Sequence, residues 1–284
     1  MPERPRSENS TRPQMNEETI FNPYPGDSYD TPEKVKANLF DLLCFKTRLS
    51  FYIRNFYVFY KSGKAAGTGY FTQNMQTNNS WENLLITESC GGKVHLRGLN
   101  YLDDPRPAVI ISNHMSLLET AIMHAFIRPR RDFCFVIKQQ LFDVPYFGNI
   151  MRHLECIGVG RDNPKNDLKA VMEEGEERLS RGKSVIIFPQ SSRTAVFDPA
   201  HFNTIGVKLA KRANVPVIPC ALRTDFLQNG KWIKDLGPIK RDLPIHFTFG
   251  EPMDVIGNGK ETQDAIVEFI KKNLREWGCA IAGE

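Results

Sequence analysis

Nowhere in its 284 residues does this chain set two cysteines in a C-x-x-C pair or gather cysteine with histidine. The six cysteines, at 44, 90, 134, 156, 220 and 279, stand far apart, a spacing that indicates neither a disulfide framework nor a zinc site. Reduced, mostly buried thiols are expected, which points to a cytosolic-facing setting. An apolar stretch of the signal-peptide kind is missing from the first thirty residues, and no internal repeat is evident. A strong charge of one sign is missing too. With 37 Lys+Arg against 33 Asp+Glu the formal charge is +4, too small to argue nucleic-acid binding but suited to an anionic membrane surface or a phosphorylated substrate. A hydrophobic fraction of 41% with 25% charged residues is that of a globular protein with a substantial core.

Residues 1–32 carry Pro2, Pro5, Pro13, Pro23, Pro25 and Pro32 among polar residues and are expected to form a largely disordered arm. Residues 33–60 differ sharply, with Leu39-Phe40, Leu42-Leu43, Phe51-Tyr52-Ile53 and Phe56-Tyr57-Val58-Phe59-Tyr60. A run free of charge long enough to cross a bilayer is absent, because Asp41, Lys46, Arg48 and Arg54 interrupt it. Each would cost about 2.5–3.5 kcal/mol at the bilayer centre, against roughly 0.3–0.6 gained per good apolar residue. A helix or helix pair lying in the headgroup region is the reading this supports, with packing on the main domain as its alternative.

Residues 61–284 make up the main domain. Its first part, 61–92, is rich in Gly, Thr, Asn and Ser and reads as a connection. Beyond it, Lys93–Arg97 alternates like an edge strand, and Asn229-Gly230 marks a hairpin. Arg128-Pro129-Arg130-Arg131 reads as a solvated basic corner, or one that could receive an acidic donor. Apolar runs at 108–111, 133–137, 156–160, 184–188 and 216–222 alternate with helical stretches such as 164–181. This pattern predicts an α/β fold with a mixed, mostly parallel sheet flanked by helices.

The run Ala108-Val109-Ile110-Ile111 gives way after Ser112 to Asn113-His114-Met115-Ser116-Leu117-Leu118-Glu119. Ligands of open α/β sheets collect at the carboxyl ends of such strands, which sets His114 where chemistry is done. Histidine is suited to taking a proton near neutral pH, and a carboxylate on its second nitrogen fixes the tautomer. Ser116-x-x-Glu119 is equally a capping box, in which Glu119 reaches back to the Ser116 amide. The two readings differ in what Glu119 touches. A base without its own nucleophile leaves that role to a hydroxyl on the substrate. Other strand ends present Lys138, Arg161 and Arg193, and arginine offers a planar fork for phosphate oxygens. The turn Gln190-Ser191-Ser192 before Arg193 could add backbone donors.

Four blocks in order across residues 93–225 resemble the glycerolipid acyltransferase family, which includes 1-acylglycerol-3-phosphate acyltransferases. N-H-x-S-x-x-[DE] is matched by Asn113, His114, Ser116 and Glu119; an apolar strand ending in Arg by Arg161, with Gly158 where a bulky residue is usual. F-P-E-G-T-R corresponds to Phe188-Pro189-Gln190-Ser191-Ser192-Arg193, and V-P-[IV]-[IV]-P to Val215–Pro219. The resemblance implies that His114 deprotonates a lysophospholipid hydroxyl, most naturally that of 1-acyl-sn-glycerol-3-phosphate, which attacks the thioester of acyl-CoA or an acyl carrier protein. Glu119 would orient His114; Asn113, Ser116, Lys138, Arg161, Gln190, Ser191, Ser192 and Arg193 would line the substrate site. No metal or bound cofactor is implied. The expected partners are a membrane surface, the lysolipid and the acyl carrier, with no nucleic acid, and the expected place is the cytoplasmic face of a membrane. Gln190 and Ser191 replace the family's Glu and Gly, which leaves open another lysolipid or an amino-acid-headed lipid as acceptor. It also leaves open a non-catalytic lipid-binding relative. On the same ground the arginines are expected to lack a compensating carboxylate.

Overall fold

Strands and helices alternate as the apolar runs predict. The computed structural model describes residues 20–35, 38–160, 162–190 and 192–284. Among them, one sheet contains β1 (Tyr29–Asp30), β2 (Val94–Arg97), β3 (Val109–Ser112), β4 (Phe133–Lys138), β5 (Ile157–Val159), β6 (Ser184–Ile187), β7 (Val217–Arg223) and β8 (Ile245–Phe249). Their order is β1-β2-β8-β7-β3-β6-β4-β5. From β7 to β5 the strands are parallel, while β7–β8 and β1–β2 pair antiparallel, so the sheet is mixed and mostly parallel. The helices are α1 (Leu39–Leu43), α2 (Arg48–Gly67), α3 (Gln73–Ser89), α4 (Leu118–Ile122), α5 (His124–Ile127), α6 (Phe147–His153), α7 (Pro164–Ser180), α8 (Ile205–Ala213) and α9 (Lys260–Glu276).

β3 is buried along its whole length, which is why it reads as an unbroken apolar run rather than an alternation. Its side chains divide between two cores. Ile110 joins Ile186, Ile218 and the residues of α3, α5 and α6 on one face. Val109 and Ile111 join α7, α8 and α9 on the other. Full burial of such a side chain stabilises by about 1.5–3 kcal/mol. In register, Ile110 stands opposite Ile186 and Ile218, which fixes the central strand between its neighbours.

Four expectations are corrected here. Residues 20–32 are not a free arm: Tyr29 and Asp30 pair with Leu96 and His95, Tyr24 is buried, and Thr31 Oγ1 donates to Glu88 at 2.6 Å. An edge position tolerates the prolines because their missing N–H groups need no ladder partner. Residues 1–19 lie outside the described residues. The 61–92 segment is not a connection but the end of α2 and all of α3. Its hydroxyls are satisfied within the fold, Thr77 and Thr87 by carbonyls four residues back and Ser80 by the Ala121 carbonyl at 2.7 Å. Small hydroxylated residues thus let α3 pack on α4 and α5 with these hydroxyls hydrogen-bonded. The basic turn is no solvated corner either. Arg128 is fully buried and bonds Asp132 and the Phe133 carbonyl, while Arg130 holds the carbonyls of Tyr24, Pro25 and Gly26. Around Asn229-Gly230 the chain makes a loop closed by an antiparallel bridge between Leu227 and Ile239, rather than a two-residue hairpin.

Helix α2 starts at the N-cap Thr47 and carries large apolar residues on its outward as well as its inward face. It buries Ser50, Phe51, Val58, Ser62 and Gly63, and exposes Leu49, Ile53, Phe56, Tyr57 and Tyr60. The small inward residues have a purpose at Gly63, where a Cβ would fall 2.4 Å from the Tyr146 Cβ. All six cysteines are free thiols, four of them buried.

Candidate active site

The chain leaves β3 toward β4 and leaves β7 toward β8, in opposite directions across the sheet, so the carboxyl ends of these two adjacent strands form a topological switch point, the place where open α/β sheets bind ligands. His114 stands two residues past β3. Its Nδ1 lies 2.8 Å from Glu119 Oε1, with the histidine side chain 17% exposed and the glutamate side chain 0%. The imidazole stacks on Phe188 at the end of β6, ring centroids 4.3 Å apart and planes within 16°. One ring edge is therefore tied inward and one face is covered by carbon.

Glu119 is saturated with donors. Oε1 also accepts the Met115 N–H at 2.8 Å and the Ser116 N–H at 3.0 Å, and Oε2 accepts from Thr224 Oγ1 at 2.6 Å. Ser116 Oγ sits 2.9 Å from Thr224 Oγ1 and accepts the Leu118 N–H at 3.1 Å. The capping reading and the histidine reading are therefore both true of one carboxylate. Burial pushes its pKa up, but the hydrogen bond and charge of His114, with Thr224 and the Ser116 amide, more than offset this and hold it below the ordinary carboxylate value. A carboxylate ionised in this way takes the proton-bearing Nδ1 edge, and the hydrogen-bond network assigns the lone pair to Nε2.

Residues 93–223 match the family profile described as Acyltransferase. A 1-acyl-sn-glycerol-3-phosphate acyltransferase of Pseudomonas aeruginosa is 32% identical over 169 residues, 60% of this chain and 62% of its own length. A chloroplastic 1-acyl-sn-glycerol-3-phosphate acyltransferase of Arabidopsis thaliana is 27% identical over 131 residues, 46% of this chain and 36% of its own. The chain thus matches less than two thirds of the length of either. The crystal structure of the 1-acyl-sn-glycerophosphate acyltransferase PlsC from Thermotoga maritima superposes with a TM-score of 0.61 at 19% identity, covering 82% of this chain and 95% of that one, a likeness of fold. The part of the chain from residue 93 to 223 is thus similar to the Acyltransferase family.

Within the family's first block, Asn113 and Ser116 are corrected from substrate-lining to supporting residues. Asn113 is 1% exposed, and its amide is consumed by the Leu222 backbone, donating to O at 2.8 Å and accepting from N at 2.9 Å. It joins β3 to β7 beneath the histidine. Ser116, also 1% exposed, lies behind Glu119. In the third block Gln190 Oε1 accepts the His114 backbone N–H at 2.7 Å, a bond a glutamate would accept equally, and the Thr194 N–H donates to the His114 carbonyl at 3.0 Å. The third block thereby holds the loop of the first.

Arg193 is paired with Asp235 at 2.5 Å. The expected lack of a compensating carboxylate is overturned, since a residue 42 positions away supplies it. Ser192 is exposed beside Gln190, next to a cavity of ≈ 280 Å³ also lined by Thr194, Asp198 and His201. Lys138 ends β4 exposed at the same carboxyl edge of the sheet. Gly158 of β5 is where Gln139 and Phe142 close over the strand, occupying the room a bulky residue would need. Arg161 and Ser191 lie outside the described residues. The structure adds Thr224 and Asn229, which sequence reasoning missed; Asn229 Nδ2 donates to the Met115 carbonyl at 2.9 Å. Neither has a local signal, because each meets the block only through the β3–β7 pairing and the loop that follows it.

Proposed function

We propose that this protein transfers an acyl group from acyl-CoA or an acyl carrier protein to the free hydroxyl of a lysophospholipid, with 1-acyl-sn-glycerol-3-phosphate as the acceptor and phosphatidate as product. The observation that carries the reading is the His114–Glu119 pair: a partly open imidazole whose inner nitrogen is held at 2.8 Å by a buried carboxylate. Nε2 takes the hydroxyl proton as the oxygen attacks the thioester carbonyl. The C–O bond forms, the C–S bond breaks, and the imidazolium returns the proton to the leaving thiolate. Glu119 stabilises the imidazolium between these steps, and Phe188 shields one ring face from water. Binding both substrates in line would supply the remaining acceleration, and no residue need form a covalent intermediate. Arg193 is the described cation placed to meet the acceptor phosphate, exchanging Asp235 for it.

The protein would act on the cytosolic leaflet of a membrane, to which α1 and α2 present the exposed Leu39, Leu43, Phe45, Leu49, Ile53 and Phe56. Large apolar side chains on the outward face of α2, Leu49, Ile53, Phe56, Tyr57 and Tyr60, support a lipid contact over a solvated one. The decisive experiment measures thioester consumption with and without lysophosphatidate, in wild type and in His114→Ala. Turnover should depend on the acceptor and fall by at least about 10² in the variant, the range of a lost general base, with the far-ultraviolet spectrum unchanged. Acceptor-dependent turnover that survives His114→Ala would overturn the role given to His114.

A further inference from the structure

The loop after β7 carries Lys231-Trp232-Ile233-Lys234 at its tip, with Trp232 92% and Ile233 59% exposed. Two large apolar side chains stand in water between lysines, with the Lys231 ammonium 6.0 Å from the Trp232 ring centre, an exposure that costs free energy no burial offsets. The tip is nonetheless a built turn. The Gly230 N–H donates to the Lys234 carbonyl at 3.0 Å, the Leu236 N–H to the Ile233 carbonyl at 3.0 Å, and the Gln228 N–H to the Pro238 carbonyl at 3.0 Å. Gly230 and Gly237 permit this closure, since a Cβ at either would fall within 2.1 Å of a backbone oxygen.

The base of the loop is fastened to α1 and α2. Arg48 donates to the Leu236 carbonyl at 2.9 Å and Tyr52 Oη to the Gly237 carbonyl at 2.8 Å. Arg241, at the loop's far end, pairs with Asp41 and donates to the Lys46 carbonyl at 2.9 Å. Those contacts seat the base of the loop on the segment that also carries Phe45, 89% exposed, and the exposed Leu49. On its other side the same loop reaches the site, through Asn229 to the Met115 carbonyl and through Asp235 to Arg193.

We propose that the 231–234 tip is a second lipid-contact element, inserting Trp232 and Ile233 into the headgroup region of an anionic bilayer while Lys231 and Lys234 meet lipid phosphates. A bilayer is favoured over a protein partner by continuity with the α1–α2 face and by the paired lysines around an indole, a side chain that seats at the membrane–water boundary. The proposal rests on the membrane reading of α1 and α2 given above. The tip fixes the distance between the bilayer and Arg193, so its loss should weaken use of a membrane-borne acceptor and spare chemistry on a dissolved one.

The test uses the full chain and vesicles of phosphatidylglycerol or phosphatidylcholine. Both tip residues are exposed, so the double substitution Trp232→Ser, Ile233→Ser leaves the core intact. It should weaken partitioning onto phosphatidylglycerol vesicles by about tenfold or more and raise the apparent KM for vesicle-borne lysophosphatidate alike, with turnover of a short-chain dissolved acceptor unchanged. Brominated lipid should quench tryptophan emission in the wild type, and the quenched fraction should vanish in Trp232→Phe. A companion variant, Phe45→Ser with Leu49→Ser, separates the two readings. If it abolishes partitioning while the tip variant binds as wild type, the α1–α2 contact stands and the tip proposal is overturned. If wild type does not partition at all, both are overturned.

Discussion

A carboxylate with no exposure, contacted by one imidazole, two amides and two hydroxyls, carries part of the fold as well as part of the site. Because the folded pKa of Glu119 lies below its ordinary value, the unfolded chain takes up the proton first as pH falls. The stabilisation it confers is therefore present above the ordinary carboxylate range and lost as pH descends through the folded value. Glu119→Gln should lower stability at pH 7 by about 1–3 kcal/mol, since donors are left mismatched in a buried place, and the gap to wild type should narrow toward pH 3. Denaturant midpoints of both proteins across that range check it; a gap constant with pH would mean that Glu119 is not ionised in the fold. Turnover of the same variant should fall less than that of His114→Ala.

Arg193 offers the second test at this scale. If it meets the acceptor phosphate, Arg193→Ala removes a charge-assisted bond worth about 1.5–3 kcal/mol, a rise of roughly 10- to 150-fold in the apparent KM for lysophosphatidate. Monoacylglycerol, which is neutral, should be nearly indifferent. Equal losses for the two acceptors, measured at saturating thioester, would mean that the Arg193–Asp235 pair serves the loop and not the phosphate.

Among the elements, α2 ties the exposed apolar surface to the domain. Phe51 stands 6.2 Å from Phe226 between ring centroids, Phe59 stacks on Phe147 at 5.6 Å, and Gly63 admits Tyr146 at a distance no side chain could share. Gly63→Ala should cost about 1–3 kcal/mol through overpacking against residue 146, while the exposed Lys64→Ala should stay within about 0.5 kcal/mol of wild type. Equal denaturation midpoints for the two variants would show that α2 is not seated against Tyr146. The loop from β7 to β8 has the complementary part: it touches α1, α2, the His114 block and Arg193.

At the scale of the whole molecule, the exposed apolar residues concentrate on α1, the outward face of α2 and the 232–233 tip. No helix among the described residues is long and apolar enough to cross a membrane. Attachment through this surface would be interfacial, held by shallow insertion and by cations on anionic headgroups. Alkaline carbonate should strip the protein from membranes, and raising salt should weaken its partitioning onto anionic vesicles. Retention in the pellet after carbonate would mean a deeper insertion than this surface supports.

What the sequence by itself determined is local in origin. The apolar runs announce β3, β4, β6 and β7 because a strand buried on both faces has no room for a polar alternate. The five-residue interval from His114 to Glu119 is short enough for one turn to close it, so both the pair and the cap were legible together. Helix α3 was not, because its Thr, Asn and Ser residues carry the composition of a loop, and only the carbonyls of neighbouring turns and of α4 satisfy them. The tertiary structure alone decided that Asn113 clasps Leu222, that Thr224 completes Glu119 from 105 residues away, and that Asp235 occupies Arg193. Each of these contacts depends on which strands lie side by side and in what register. That is set by the summed burial of two cores, to which no single stretch of chain bears witness.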